Sequence, residues 1–272
     1  MPRVILVTGA SSGIGAGCAL RLAEAGHRVI GVSRSGTTPP FAAGTAIPPL
    51  LSTRVLDIRD PLAIEQTVCQ VVKEFGRLDA VVNAAGIAIA GPLEDLPVDS
   101  VRAQLDTNLF GAVYLLRSSI PFLRRFAPAQ FVHISSIAAH VALPYQSLYT
   151  ASHFGMSGLL QSLRYELAPH GVRVTLVEPG SVQTALTANR QTTIAGPDYL
   201  KGAKSALEIN DADERRGIQA DRVARVVEEI LLSYSPPVRR SVGHWHERLM
   251  IPLKRVLPAR IFEGIIQSHY KV

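Results

Sequence analysis

The feature that most constrains this chain lies at its start, where an apolar run leads directly into a glycine-rich turn. Val4-Ile5-Leu6-Val7 precedes Thr8-Gly9-Ala10-Ser11-Ser12-Gly13-Ile14-Gly15, and residues 16–23 continue as an amphipathic helix. A strand, a tight turn and a helix N-terminus present free N–H groups and the positive end of the helix dipole to an anion. The pattern predicts a dinucleotide-binding unit, and an ordinary turn between strand and helix is the alternative.

Each glycine of this turn has a separate predicted role. Gly9 shapes the turn, Gly13 lets the backbone approach a pyrophosphate, and Gly15 allows the helix to pack tightly on the strand. Because the motif opens an alternating α/β chain, we favour nucleotide binding over the ordinary turn.

Further apolar runs repeat the strand-then-helix order along the 272 residues. We predict strands at 28–32, 52–56, 78–83, 131–135 and 172–177, and helices at 60–75, 101–120 and 148–167. Strands so uniformly apolar are typical of a parallel sheet covered on both faces. The sequence predicts an α/β fold with a single Rossmann-type doubly wound parallel sheet and helices on both faces. One domain is expected over 1–272, with a substrate segment at about 185–220 and a C-terminal extension at about 236–272.

Composition narrows the function classes. A content of 47% hydrophobic and 18% charged residues argues against disorder. Cys18 and Cys69 match no metal or redox spacing, so we expect two buried reduced thiols, no metal site and a cytoplasmic protein. The net charge of +6 comes without clusters of basic and aromatic residues, so a cofactor carrying phosphates explains it better than nucleic acid does.

The stretch from 126 to 163 contains no Asp, Glu, Lys or Arg, and it carries the candidate chemistry. Ser136 closes a predicted strand, and Tyr149 follows it by 13 residues at the start of the next helix. Catalytic groups in such sheets gather at the carboxyl ends of the strands, so both hydroxyls can converge on one carbonyl oxygen. The serine would hydrogen-bond that oxygen, and the phenol would donate or accept the proton.

Six ordered elements make the chain similar to short-chain dehydrogenases/reductases of the classical type. They are the turn from Thr8 to Gly15, Asn83-Ala84-Ala85-Gly86, Asn108, Ser136, Tyr149 and Pro179-Gly180-Ser181-Val182-Gln183-Thr184. This resemblance runs from residue 4 to about 185. It implies that Asp57 backs the adenine, that 83–86 steadies the cofactor side of the sheet, that Asn108 holds a water in a proton relay, and that Thr184 contacts the nicotinamide.

The turn and the resemblance together assign the candidate site. The candidate catalytic residues are Asn108, Ser136, Tyr149 and His153. The candidate cofactor-binding residues are Thr8, Gly9, Ser11, Ser12, Gly13, Ile14, Gly15, Ser33, Arg34, Asp57, Ile58, Asn83, Ala84, Ala85, Gly86, Tyr149, His153, Pro179, Gly180, Val182 and Thr184.

The end of the second predicted strand favours NADP over NAD. A fold of this kind that prefers NAD usually has an acidic residue there for the ribose 2′-hydroxyl. This chain has Ser33-Arg34 and no Asp or Glu until Asp57. A guanidinium suits a 2′-phosphate, although a solvated surface arginine is the alternative.

Position 153 departs from the family pattern. Where the resemblance leads us to expect Tyr-x-x-x-Lys, this chain has Tyr149-Thr150-Ala151-Ser152-His153. In the family the lysine bonds the nicotinamide ribose and its charge lowers the tyrosine pKa. A histidine four residues along keeps the same helix face but is mostly neutral at pH 7. Tyrosinate, the base for alcohol oxidation, is then scarce, so we expect a bias toward carbonyl reduction or a loss of activity.

The substrate side is expected to be apolar. The family contacts substrate at positions corresponding to 87–92, 141–144 and 185 to about 219, and the first two segments contain no Arg or Lys. We therefore expect a small hydrophobic carbonyl or alcohol substrate. His133 is expected to be a core residue of its strand. For His140 we favour a position outside the pocket, and a place in the pocket lining is the alternative.

The tail from 245 to 272 mixes apolar and basic residues, and Pro252 and Pro258 are expected to split it into short helical pieces. We expect it to pack over the substrate mouth or against a neighbour in a homodimer or homotetramer. Contact with a membrane surface is the less favoured alternative.

Three function classes follow from these residues. An NADP-dependent carbonyl reductase is the leading hypothesis. A cofactor-binding protein impaired in catalysis is the second, on the evidence of His153 alone. A non-redox dehydratase or cyclase that uses Ser136 and Tyr149 is the third.

Overall fold

Seven strands, most of them apolar, form the central sheet of the protein. A computed structural model describes residues 2–38, 47–193 and 196–272, with the side chains of 187 and 188 outside that description. The segment 37–49, whose sequence has no strand or helix pattern and is expected to be a loop, lies partly outside the described residues. The strands of the main sheet are β1 (Val4–Thr8), β2 (Arg28–Ser33), β3 (Leu51–Val55), β4 (Ala80–Asn83), β5 (Ala129–Ile134), β6 (Val172–Pro179) and β7 (Arg239–Val242).

Ten α-helices connect and follow these strands in the described ranges. They are α1 (Gly13–Glu24), α2 (Pro61–Phe75), α3 (Val98–Leu105), α4 (Gly111–Arg125), α5 (Ser147–Leu167), α6 (Ala185–Ala188), α7 (Leu200–Arg215), α8 (Ala220–Leu232), α9 (Trp245–Val256) and α10 (Ala259–Tyr270). Local sequence explains the start of α2, because Asp60 accepts hydrogen bonds from two N–H groups of the first turn and Pro61 needs none. Among the helices of the described ranges, none combines the length and the apolar character that crossing a bilayer requires.

The strand order β7-β6-β5-β4-β1-β2-β3 is parallel throughout. The chain winds outward in both directions from β1 and β4, which leaves a crevice beyond the carboxyl ends of these two strands. The predicted α/β fold with a doubly wound parallel sheet is confirmed.

Each face of the sheet has its own hydrophobic core. Successive side chains of a strand point to opposite faces, so Leu6 packs with α2, α4 and α5, whereas Ile5 and Val7 pack with α1 and α8. Both faces are therefore buried, as the uniformly apolar strands require.

The helix predicted at 101–120 is interrupted. It consists of α3, a π-helical segment at Asp106–Phe110 and then α4. The interruption follows from tertiary contacts that leave no local pattern. The Asn108 amide bonds both backbone groups of Ile87. At Gly111 an added Cβ would lie 2.8 Å from the Ile58 carbonyl oxygen. A π-bulge inside a helix is often found at a functional site.

Two other expectations need correction, and one strand was not foreseen. Cys18 is buried, and burial raises its pKa to about 12, but Cys69 is exposed because it lies on the solvent face of α2. The edge strand β7 was not predicted, since its sequence Arg-Arg-Ser-Val has little strand character without its neighbour β6. Pro252 lies inside α9 and only Pro258 separates α9 from α10.

Candidate active site

A cleft of about 880 Å³ lies at the carboxyl ends of the strands. All four candidate catalytic residues line it, and so does every candidate cofactor-binding residue except Asn83. These residues come from parts of the chain that are widely separated in sequence: the carboxyl ends of β1 to β6 and the turns that follow them, the π-helical segment and α5. The topology therefore brings the sequence motifs together at one site.

The glycine turn after β1 is shaped to hold a group close to the backbone. Gly9 has a φ of +68°, and a Cβ there would lie 2.7 Å from the Ala84 carbonyl oxygen. A Cβ on Gly15 would lie 2.3 Å from the Gly9 carbonyl oxygen, so only glycine allows α1 to start so near the strand. Ser12, the N-cap of α1, makes no side-chain capping bond, which leaves the first N–H groups facing the cleft. This donor set fits a pyrophosphate.

Asn83 supports the cleft from behind. It accepts a hydrogen bond from the Thr8 hydroxyl (2.6 Å) through Oδ1, and its Nδ2 lies 3.1 Å from His133 Nδ1. Thr8 Oγ1 also accepts from the N–H groups of Ala84 and Ala85. These bonds tie the ends of β1, β4 and β5 together. His133 is buried in its strand as predicted and also lines the cleft, and burial lowers its pKa to about 4.

Two arginines lie at the end of the cleft formed by β2 and β3. Arg34 is exposed at the cleft wall, where the sequence indicated a lone cation. Arg59 lines the same wall and forms a bidentate pair with Asp57. These bonds lower the pKa of the Asp57 carboxyl. Since Asp57 already engages Arg59, Arg34 is the guanidinium better placed to receive another anion.

Ser136 and Tyr149 meet on the opposite wall. Ser136 is buried after β5, and its Oγ accepts a hydrogen bond from Ala138 N (3.1 Å), which leaves the hydroxyl proton to donate elsewhere. Burial raises the pKa of Tyr149, while the nearby Ser136 hydroxyl opposes that shift. The phenol is therefore held protonated at neutral pH, as a proton donor must be.

His153 lies one turn along α5 from Tyr149. The two rings meet edge to face with centroids 4.5 Å apart, and His153 Nδ1 lies 3.3 Å from Ser135 Oγ. Burial, together with the neighbouring His133, lowers the pKa of His153 to about 3. The imidazole is neutral at pH 7, so no charge at this position stabilises tyrosinate.

Asn108 lines the cleft, but its amide is already used. Oδ1 accepts from Ile87 N (2.9 Å) and Nδ2 donates to the Ile87 carbonyl (3.0 Å). The side chain thus fixes the turn after β4.

Comparison with known proteins agrees with this geometry. A model of the family described as short chain dehydrogenase matches residues 3–195. The chain belongs to the short-chain dehydrogenase family. A 3-ketodihydrosphingosine reductase of Bacteroides thetaiotaomicron is 32% identical over 100% of this chain and 99% of its own length. Human 17-beta-hydroxysteroid dehydrogenase type 1 is 36% identical over 67% of this chain and 57% of its own length.

Solved structures of this family have the same architecture. A short-chain dehydrogenase from Streptomyces avermitilis superposes with a TM-score of 0.79, at 25% identity over 98% of this chain and 93% of that one. A short chain dehydrogenase from Burkholderia cenocepacia in complex with NADP gives 0.76, at 22% identity over 97% of each chain. The second likeness concerns the fold alone.

The substrate end of this short-chain dehydrogenase is only partly apolar. Ile87, Leu143 and Leu186 line it, as expected from their segments, but Val141 does not. On α7, however, polar and acidic side chains face the same space. The lining residues from α7 and α10 are Asn210, Asp213, Glu214 and Tyr270. The two segments that the sequence analysis identified as apolar therefore contribute to one wall, and α7, which belongs to the third segment, forms the other.

An ion-pair network fixes the acidic wall. Arg190 is almost fully buried and pairs with Asp211 and Glu214, and Asn210 Nδ2 donates to Glu214 at 2.8 Å. Glu214 is close enough to Tyr149 to contribute to the rise in its pKa. Arg190, the partner of Glu214, opposes that contribution.

His140 does not line the cleft. This agrees with the favoured prediction, which placed it outside the pocket. Its Nε2 lies 2.9 Å from Glu178 Oε1, which also accepts from Arg239 at 2.7 Å. Burial opposes ionisation of Glu178, but these partners lower its pKa overall. The group joins β6, β7 and the turn after β5 behind the catalytic wall.

Glu247 of α9 supports the loop after β6 behind the cleft, a contact that the sequence motifs did not indicate. One carboxylate oxygen accepts from Ser181 N (2.7 Å) and the other from His244 N (2.8 Å). A Cβ on Gly180 would lie 2.3 Å from that carboxylate. The tail therefore holds the loop after β6, which lines the cleft. The available signal was the capping box formed by His244 and Glu247.

Proposed function

We propose that this chain is an NADP-dependent reductase of a hydrophobic ketone or aldehyde, with Tyr149 as proton donor. The observation that carries the proposal is a protonated Tyr149 beside Ser136 with a neutral His153 one turn away. That arrangement supplies an acid at neutral pH and no cation to make it a base. Reduction is therefore the direction that the site supports.

In the proposed reaction, the ketone and NADPH with one proton give the alcohol and NADP⁺. A bound nicotinamide supplies the hydride to the carbonyl carbon. Ser136 donates a hydrogen bond to the carbonyl oxygen, and Tyr149 transfers its phenol proton to that oxygen as negative charge develops. The hydrophobic lining, which includes Leu143 and Leu186, limits access of water to this oxygen.

We expect NADPH to bind more tightly than NADH by about 1–3 kcal/mol, because Arg34 can form a charge-assisted hydrogen bond with a 2′-phosphate. Arg34→Ala should remove most of that difference. Arg59→Ala is the matched control, since it removes a neighbouring guanidinium that Asp57 engages. Dissociation constants from nucleotide titrations of the three proteins measure the effect, and equal values for both cofactors in the parent would contradict the assignment.

The substrate is proposed to combine an apolar chain with a basic group near the carbonyl. One wall of the substrate end is apolar, and Asp213 and Glu214 lie on the other. Glu214 is paired with Arg190, whereas Asp213 lies 3.0 Å from the exposed His269 Nε2 and is itself 38% exposed, so Asp213 is the carboxylate more accessible to a ligand. A full-length relative is named 3-ketodihydrosphingosine reductase, whose substrate is a long-chain amino ketone. Relatives named for retinol and for a hydroxysteroid also act on hydrophobic molecules.

A panel of ketones tests this function. NADPH consumption should be fastest with a long-chain amino ketone and slower with the same ketone lacking the amine, because an ammonium group pairs with the acidic wall. Retinal and a steroid ketone complete the panel. If no ketone is reduced, the chain is an impaired cofactor-binding protein, and if product forms without NADPH consumption, it is a non-redox enzyme.

We also propose, from family resemblance alone, a homodimer or homotetramer in the cytoplasm. Size-exclusion chromatography with light scattering measures the oligomeric state.

A further inference from the structure

The outward face of α9 carries an apolar stripe that no described residue covers. Trp245, Leu249 and Val256 follow one another at helical spacing, with 75%, 44% and 74% of their surfaces exposed. Residues separated by four and seven positions share one helix face. No residue of α9 is buried. An exposed apolar stripe of this kind marks an interaction surface.

The opposite face of α9 is bonded to the rest of the protein, which fixes the stripe toward solvent. Glu247 accepts from Ser181 N, and Lys254 Nζ donates to the His140 carbonyl and lies 5.0 Å from the centre of the Phe154 ring. A rotation of α9 that buried its stripe would break all of these contacts. The stripe therefore belongs to the outer surface of the folded chain.

Basic side chains border the stripe. Arg248 and Arg255 are exposed and lie seven residues apart beside it. The following helix, α10, exposes Ile261 and Ile265, and Arg260 is exposed next to them. Residues 245–272 contain five Lys or Arg and two Glu, so half of the net charge of +6 lies in this tail. The surface is thus apolar and positively charged at once.

We propose that α9 and the exposed side of α10 bind the surface of an anionic lipid bilayer. Trp245, Leu249 and Val256 enter the interface, while Arg248 and Arg255 contact phosphate head groups. A second copy of the chain suits this surface less well. A two-fold interface brings the same patch of both copies together, and the arginines of each would then face like charge.

The position of the tail beside the cleft is consistent with binding to a lipid bilayer. Tyr270, the last residue of α10, is buried and lines the substrate end of the cleft. A bilayer bound at α9 and α10 would therefore lie against the helix that forms one wall of that end. Apolar molecules dissolved in the bilayer would have a short route to the cleft.

Sedimentation of the full chain with lipid vesicles tests the proposal. We expect binding to vesicles of phosphatidylcholine and phosphatidylglycerol in equal parts, about tenfold weaker binding to phosphatidylcholine alone, and weakening by added salt. The double variant Leu249→Glu/Val256→Glu should lose anionic-vesicle binding by about tenfold or more, because it places two carboxylates in the interface.

The control is Leu62→Glu/Val98→Glu, which adds the same charge at side chains of similar exposure on α2 and α3. It should bind as the parent does, and circular dichroism should show that both variants are folded. Absence of vesicle binding by the parent would overturn the proposal, and so would equal loss in both variants or unchanged binding by Leu249→Glu/Val256→Glu. A parent dimer that this variant dissociates, without vesicle binding, would assign the surface to a second copy instead. The assay measures no turnover, so its result is independent of the proposed reduction.

Discussion

Tyr149→Phe is expected to slow ketone reduction by about 10²–10⁴-fold while the fold and NADPH binding remain near those of the parent. The change removes one hydroxyl, and that hydroxyl is the proposed proton donor. Ser136 can still hydrogen-bond the carbonyl oxygen, so some activity should remain. Steady-state NADPH consumption gives the rate, and nucleotide titration gives the affinity.

Tyr145→Phe is the matched control for this result. It removes the same atom from a tyrosine close by in sequence whose side chain is not part of the cleft lining. We expect Tyr145→Phe to reduce ketones at nearly the parental rate. If Tyr149→Phe did the same, the proton would have to come from another group, and the proposed role of Tyr149 would be wrong.

His153→Lys is expected to speed alcohol oxidation at pH 7 by about tenfold or more, with a smaller change in ketone reduction. Burial raises the Tyr149 pKa above its ordinary value of 10.0, so at pH 7 tyrosinate is about one molecule in a thousand or fewer. A lysine charge would lower that pKa, and each unit of the fall raises the tyrosinate fraction about tenfold. Burial also lowers the lysine pKa, which limits the gain.

The rate of alcohol oxidation is expected to increase with pH. Parental oxidation should rise steeply toward pH 10, because tyrosinate forms only as pH approaches the raised pKa of Tyr149. The pKa of His153 is lowered to about 3, so this residue should add no step between roughly pH 5 and 9. In His153→Lys, the rise in oxidation should move to lower pH.

His153→Gln separates charge from shape in this experiment. It keeps a hydrogen-bonding side chain near Ser135 without adding charge, so we expect little gain in neutral-pH oxidation. A parent that already oxidises alcohols rapidly at pH 7 would refute the directional bias. If His153→Lys slowed reduction while His153→Gln did not, the loss would come from the buried charge.

Features with a local pattern could be predicted from the sequence. The turn between Gly9 and Gly15 imposes its own geometry, and Asp60-Pro61 starts α2 through its capping bonds. The strands of the core are apolar on both faces, so their parallel arrangement followed from composition. Because parallel strands end at one edge of the sheet, the separated motifs could also be expected to meet.

Features that depend on contacts between distant residues could not be predicted in this way. The acidic wall requires Arg190 to meet Asp211 and Glu214, and no spacing rule indicates that pairing. The strand β7 has a polar sequence and is recognised as a strand by its pairing with β6. Arg59 was missed because a charged residue before a helix cap looks like ordinary surface, until the fold brings Asp57 and the cleft beside it.

The bond between Glu247 and the backbone of Ser181 makes residues beyond the family model part of the structure around the cleft. The family model ends at residue 195, yet a carboxylate 66 positions after Ser181 holds the loop that follows β6. Gly180 has no side chain, which leaves room for that carboxylate. A protein trimmed to the family boundary would lose the clamp on this loop together with the edge strand β7. The tail therefore supports a loop that lines the cleft, and engineered chimaeras of this protein should exchange the loop and the tail as one unit.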